Sequence, residues 1–299
     1  MSIKISSAAK LSFLILAWQL LLPSGARASS FLKMPVSAKS VSLAGGFKAG
    51  DNLGAAEYNP SALSSIRGFN VEISQVAYFE GISISGLYAA YSGRNTAVGF
   101  GFKSYSTQDI ARDFLGAGTG IISHAESAMT FAVSTRLNRN VAAGVGLRSY
   151  GASISDDSSG GISTSAGGML FDIGFTHYRQ ADVYALSVTN AGSVKYDYAG
   201  AVAQRLPLTY AAGGRHTVGN FVGTWQMSKS DDVKRMKLAI GVDYDITDTL
   251  ALRTGMQYTQ YFDLTFGAGY KFGNFYLDYA LSPHMDFGAV HNITLGTRF

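Results

Sequence analysis

The sequence predicts an all-β fold, a transmembrane antiparallel outer-membrane β-barrel of about 14 strands with an N-terminal hatch. Three observations carry that expectation. Apolar and polar residues alternate through many segments of roughly ten residues, the length a tilted strand needs to cross a bilayer. The composition is rich in Gly (35), Phe (18) and Tyr (17), with 5 Pro and only 15% charged residues. Beyond the first two dozen residues, no apolar stretch is long enough for a membrane helix. The final run shows the alternation well. Ile293, Leu295 and Phe299 share one face, and Asn292, Thr294, Gly296 and Arg298 share the other. A terminal strand closing on an aromatic residue resembles the signal by which bacterial outer-membrane barrels are recognised by the barrel assembly machinery, so Phe299 is the expected assembly signal.

The first element is a targeting segment. Lys4 and Lys10 precede the apolar run 11–22, and Pro23, Ser24, Gly25, Ala26, Arg27 and Ala28 follow it. That order of positive, apolar and small residues reads as a signal peptide over 1–28, too short to span a bilayer as a helix. With no cysteine in the chain, neither a lipoprotein anchor nor a disulfide framework is expected. Removing 1–28 takes three positive charges and no acid, so the formal +4 becomes +1 and nucleic-acid binding loses its support.

Residues 29–68 follow, too polar for a membrane strand and too long for a tail. Asn59 can cap a helix or turn, and Pro60 at the first helical position loses no needed hydrogen bond. A lumen this wide must hold water or a plug, and 29–68 is the expected plug.

The barrel is expected over 69–299 as one domain, with no composition shift dividing it. Candidate strands are 69–79, 82–91, 95–105, 124–137, 140–150, 166–177, 181–189, 207–217, 220–228, 236–246, 249–259, 264–272, 274–281 and 290–299. In the tenth, Leu238, Ile240, Val242 and Tyr244 face lipid, while Ala239, Gly241, Asp243 and Asp245 face the lumen. Phe266 and Tyr270 oppose Gly267 and Lys271 in the same way. Tight joins rich in Gly, Asn and Asp follow strands 2, 4, 8, 10 and 12, with Arg179-Gln180 after strand 6. Longer joins, 106–123, 151–165, 190–206, 229–235 and 282–289, follow strands 3, 5, 7, 9 and 13. Short joins therefore mark the periplasmic rim and long ones the outer rim. The joins after strands 1 and 11 are short on the outer rim and break the pattern.

Motifs in the hatch carry a family resemblance. Pro35-Val36-Ser37-Ala38, Gly45-Gly46 and Asn59-Pro60-Ser61-Ala62-Leu63 resemble the hatch of the PorV/PorQ family, within the wider FadL-type superfamily of outer-membrane barrels. Arg205-Leu206-Pro207-Leu208-Thr209 and Leu277-Asp278-Tyr279-Ala280 extend the likeness over most of 31–299. Ser61 stands where family members usually carry Ala.

No enzyme is expected. His124, His177, His216, His284 and His291 are scattered singly, without metal-ligand spacing, and no Gly-x-Ser-x-Gly elbow occurs. No cofactor is expected either. Asp243, Asp245, Arg253, Lys271, Asp278 and Arg298 are expected to pair across the lumen or with Lys39, Lys48 and Glu57 of the hatch, since unpaired buried charge is costly.

The resemblance implies two functions. PorV-like proteins bind secreted cargo in the type IX route, and FadL-like ones admit long-chain fatty acids or other hydrophobic compounds. A capture groove needs large apolar outer loops. Only 106–123, with Ile110, Phe114, Leu115, Ile121 and Ile122, offers one, whereas 155–161 is Ser, Asp and Gly. That balance favours a role in secretion or surface assembly. Phe114, Leu115, Ile121 and Ile122 are the expected partner-binding residues, and the alternative is hydrophobic uptake. Expected partners are outer-membrane lipids, the assembly machinery, and either secreted cargo proteins or hydrophobic small molecules.

Overall fold

In the computed structural model of the chain, the residues described are 31–45, 50, 52–78, 81–112, 115–158, 161, 163–196, 203–204, 206–284 and 288–299. The expected signal peptide lies outside them, as do Gly46, Lys48, Phe114 and Arg205. The first half of the barrel is β1 (Gly68–Ala77), β2 (Ser83–Ser92), β3 (Thr96–Arg112), β4 (Gly118–Arg136), β5 (Val141–Asp156), β6 (Thr164–Arg179) and β7 (Asp182–Tyr196). Among the described residues, a two-residue strand, β8 (Ala203–Gln204), pairs only with the end of β7. The second half is β9 (Thr209–Val218), β10 (Phe221–Ser230), β11 (Lys237–Asp245), β12 (Leu250–Tyr258), β13 (Phe262–Phe272), β14 (Phe275–His284) and β15 (Gly288–Arg298).

Each strand pairs antiparallel with its sequence neighbour, β7 pairs directly with β9, and β15 returns to β1. Among the described residues, fourteen strands, β1–β7 and β9–β15, thus close a ring without an edge. Closure satisfies every ladder hydrogen bond inside the protein, the condition for crossing hydrocarbon. At the seam Asn70 faces Arg298 and Ala77 faces His291. Phe299 N–H donates to Phe69 O at 2.8 Å, Phe69 N–H donates back at 3.1 Å, and the two rings stack at 6.5 Å.

The outward positions are apolar. Ile240 is 53% and Phe266 45% exposed, while their neighbours Ala239 and Thr265 are buried. Aromatic residues gather at both ends of this band. On the periplasmic side Phe221 stacks on Tyr244 and Phe272 on Phe275, and Tyr258 packs near Phe262 on the outer side. An apolar belt flanked by aromatic girdles is the surface a bilayer solvates.

The tight periplasmic joins stand where the sequence places them. Of the long outer joins, 229–235 falls close to the observed join between β10 and β11, but 106–123, 151–165, 190–206 and 282–289 are shorter than expected. β3 continues to Arg112 and β4 begins at Gly118, so most of 106–123 is a strand hairpin. Likewise β5 runs to Asp156 and β6 starts at Thr164, so 151–165 shrinks to a short turn, and β7 continues to Tyr196. These extensions rise past the membrane band into water, where neither face must be apolar. The period-two pattern that reveals a strand is therefore lost there. The barrel has a tall half, β3–β7, and a low half, β9–β15.

The described part of 31–67 lies inside the ring. It forms α1 (Ala38–Ser42) and 3-10 turns at Phe31–Lys33, Leu53–Glu57 and Pro60–Ser65. Lumen-facing glycines let its backbone sit against the wall. A Cβ on Gly144 would lie 2.4 Å from Ser61 N, and one on Gly267 would lie 2.4 Å from Ser42 Cβ. Glycine inside a strand often marks such an approach of another backbone.

Candidate functional site

The hatch crosses the lumen and is fastened to opposite walls. On the low half, Ala38 N–H donates to Thr294 Oγ1 at 2.8 Å, and Thr265 Oγ1 donates to Ser42 O at 3.0 Å. On the tall half, the Pro60–Ser65 turn sits across β4, β5 and β6. Asn59 caps it: its Oδ1 accepts from Ser61 N–H at 3.1 Å and from Ser61 Oγ at 2.7 Å. Pro60 takes the first helical position, where its missing N–H costs nothing. Ser61 Oγ lies 2.7 Å from Thr176 Oγ1 on the wall.

Between these ends, charge locks the hatch. Glu57 accepts from Lys103 Nζ at 3.0 Å and from Tyr88 OH at 2.9 Å. Arg148 donates to Glu57 O, pairs with Asp172 at 2.9 Å, and donates to Asn190 Oδ1 at 2.7 Å. Lys103, Glu57, Arg148 and Asp172 are all buried, with side chains no more than 4% exposed. Desolvation this complete demands partners for every charge, and here each has one. A bulge where β6 meets β7 makes the geometry possible. Phe171 faces Ala191 and Ile173 faces Val188, so Thr189 and Asn190 together oppose Asp172. Asn190 takes φ of 65°, a left-handed conformation that Asn tolerates, and its N–H donates to Asp172 Oδ1 at 2.7 Å.

A second set sits toward the periplasm on the low half. Arg253 bridges Asp243 at 3.0 Å and Asp278 at 2.5 Å, and Lys39 of the hatch lies 3.6 Å from Asp243. These pairings join residues the sequence assigned to the lumen. The sequence pattern singles out neither Lys103, Arg148 nor Asp172, although each shares the lumen-facing parity of its strand with glycine, as at Gly99, Gly101, Gly144, Gly146 and Gly174.

Above the hatch, toward the outer rim, two cavities remain. One, of about 220 Å³, is lined by Leu32, Pro35 and Tyr58 of the hatch and by Asn190, Gln226 and Lys237 of the wall. Gln226 has a buried Oε1 with no hydrogen-bond partner among the described residues. Tyr58 OH donates to Met34 O at 2.5 Å, and burial with the adjacent Glu57 pushes its pKa well up, so it stays a neutral donor. The other cavity, about 380 Å³, lies on the β1 and β13–β15 side and shares Lys33, Pro35, Gly45 and Lys237 with the first. Beside them Phe31, Leu32, Leu170, Val194 and Leu206 form a buried apolar cluster. The outer vestibule is thus part apolar and part cationic.

The residues expected to form a partner-binding loop do not form one surface. Ile121 faces Ile110 across the hairpin on the outward, lipid-side parity of β4. Ile122 points to the opposite face, Leu115 is exposed in the turn, and Phe114 lies outside the described residues. Phe299 sits at the β1–β15 seam.

No protein-family model matches the chain, and no curated protein matches it. Solved structures do. A mutant of TodX described as a monoaromatic hydrocarbon channel superposes with a TM-score of 0.61 at 12% identity, covering 83% of this chain and 95% of that one. A FadL homologue of Pseudomonas aeruginosa gives 0.61 at 12% identity, covering 83% and 94%. The toluene transporter TodX of Pseudomonas putida gives 0.57 at 12%, covering 80% and 90%. Closed ring, lipid-facing belt and these likenesses agree: the chain has the fold of the FadL-type barrels and resides in the bacterial outer membrane.

Proposed function

We propose that the protein is a conduit through which small hydrophobic compounds cross the outer membrane. The observation that carries this reading is the pair of cavities directly above a hatch fastened across the lumen. An apolar cavity of about 150 Å³ is enough for a benzene-sized guest. The 220 Å³ space beside Leu32, Pro35 and Tyr58 is larger. The neighbours' described roles, in toluene transport and as a hydrocarbon channel, agree with it. The protein supplies a path and no catalysis.

A role in secretion, which the hatch motifs suggest through their likeness to PorV/PorQ proteins, draws on those motifs alone. Its expected docking loop is a strand hairpin with its apolar residues on both faces. The test is uptake of a radiolabelled monoaromatic compound by cells whose outer membrane carries either the protein or a cavity-filling Leu32→Trp variant. Uptake that rises with the protein and falls several-fold in the variant is expected. Uptake independent of expression, with secreted or surface-attached proteins altered instead, overturns the reading in favour of secretion.

A further inference from the structure

The periplasmic mouth carries a cluster that hydrophobic passage does not use. Arg67 stands where the hatch leaves for β1, Arg94 is in the β2–β3 turn, Arg136 ends β4, and Arg139 is in the β4–β5 turn. Together they line an open cavity of about 590 Å³ whose other lining residues, Leu137 among them, are uncharged. Among the described residues, none of the four forms an ion pair.

Two of the guanidiniums are held in place. Arg67 Nη1 donates to Ser64 O at 3.2 Å and Ile66 O at 3.1 Å, while Arg136 Nη2 donates to the same Ser64 O at 3.0 Å. Arg136 also lies over the Tyr178 ring, 5.0 Å from its centroid, and the Tyr178 hydroxyl is 2.6 Å from Ser64 Oγ. A carbonyl orients a guanidinium without neutralising it. The last turn of the hatch therefore builds a floor of two fixed cations, each with N–H groups to spare. Arg94 and Arg139 stand exposed at its edge. Planar forks of N–H donors suit phosphate oxygens, which accept two at a time. Four positive charges around one cavity exceed what a single carboxylate balances.

Position narrows the choice further. Tyr91 and Leu137, 58% and 61% exposed, belong to the lipid-side belt only a few residues from Arg94 and Arg139. The cluster therefore sits at the level of the inner-leaflet headgroups while opening onto the mouth.

We propose that Arg67, Arg94, Arg136 and Arg139 form a phosphate-binding site at the periplasmic mouth. Its occupant is the phosphate of an anionic phospholipid headgroup or of a soluble phosphorylated solute. The test uses the full-length protein in detergent, with native mass spectrometry against short-chain phosphatidylglycerol, phosphatidylcholine and inorganic pyrophosphate. The Arg94→Gln/Arg139→Gln variant changes only turn residues that make no ladder contact, and Arg94→Lys/Arg139→Lys serves as the conservative control. Wild-type protein should retain phosphatidylglycerol or pyrophosphate in preference to phosphatidylcholine. The Gln variant should bind roughly tenfold more weakly, as loss of a charge-assisted contact implies, with partial recovery in the Lys variant. Retention of phosphatidylglycerol that pyrophosphate does not displace identifies the lipid as the source, and displacement identifies a soluble phosphate. Equal retention of phosphatidylcholine, or unchanged binding by the Gln variant, overturns the site.

Discussion

The hatch meets the two halves of the barrel through charge, yet the two contacts are built differently. On the tall half, Glu57, Lys103, Arg148 and Asp172 are sealed, each within reach of an opposite charge and of further donors or acceptors. On the low half, Lys39, Asp243, Arg253 and Asp278 border a periplasmic cavity of about 250 Å³ that also receives Lys271 and Arg298. Charge held dry has lost its hydration and is costly to orphan, whereas charge beside a water-sized space can be rescued by solvent. The tall half thus holds the hatch through sealed charge, and the low half through buried hydrogen bonds and charge that borders a cavity, although both use carboxylates and arginines.

The largest difference between the two sets is expected on removing one carboxylate from each. Glu57→Ala leaves Lys103 buried without its partner and should cost about 3–5 kcal/mol. Asp278→Ala leaves Arg253 still paired with Asp243 and should cost about 1.5 kcal/mol, the value of one charged hydrogen bond. Urea unfolding from a bilayer measures both, and equal costs would show that the two sides are equally dry.

Next in size is a contrast of the walls themselves. Ile240→Arg, in the lipid belt of the low half, should cost on the order of 2–4 kcal/mol, whereas Ile121→Arg, on the part of β4 that rises into water, should stay within about 0.5 kcal/mol. The same unfolding measurement decides. A large penalty at Ile121 would mean that the hairpin is bathed in lipid and the tall half is not tall.

The smallest effect is at the outer edge, where Lys33 of the hatch pairs with Asp232 in the loop between β10 and β11. Burial raises the pKa of Asp232, but hydrogen bonds from Lys33 and Ser230 outweigh that and hold it below the usual range. A carboxyl lowered in the folded state contributes stability above its unfolded pKa and loses it as pH falls through the lowered value. As pH falls below about 5, hydrogen exchange at 31–34, corrected for intrinsic rates, should therefore speed up modestly. In Lys33→Met it should be fast throughout. Exchange that does not respond to pH in the wild type would show that this pair does not hold the hatch.

Much of this arrangement is legible in the chain. The parity of Leu238–Asp245 and of Leu264–Lys271 gives the lipid and lumen faces, and Gly-Asn and Asn-Arg-Asn joins give the periplasmic turns. Asp243, Arg253 and Asp278 are readable as a lumen set because each interrupts a small-residue face. Two things escape for physical reasons. The upper reaches of β3–β6, such as Gln108, Asp109 and Ser155, are strands held mainly by ladder hydrogen bonds, with water on both sides and hence no pattern to find. The grip on Glu57 depends on residues 46 and 91 positions away, Lys103 and Arg148, which only the ring brings together.

The two ends of the hatch also differ in when they can be seated. Asn59 reaches Thr176 across 117 residues, a partner already made when the first half of the barrel exists. Ala38 must find Thr294, 256 residues away on the final strand. The C-terminal anchor of the plug needs only the strands of the first half, whereas the N-terminal hydrogen bond to Thr294 needs the final strand. Pairings so far apart in sequence carry the larger loop-closure cost, so the N-terminal half of the plug is the part whose seating depends on a complete ring.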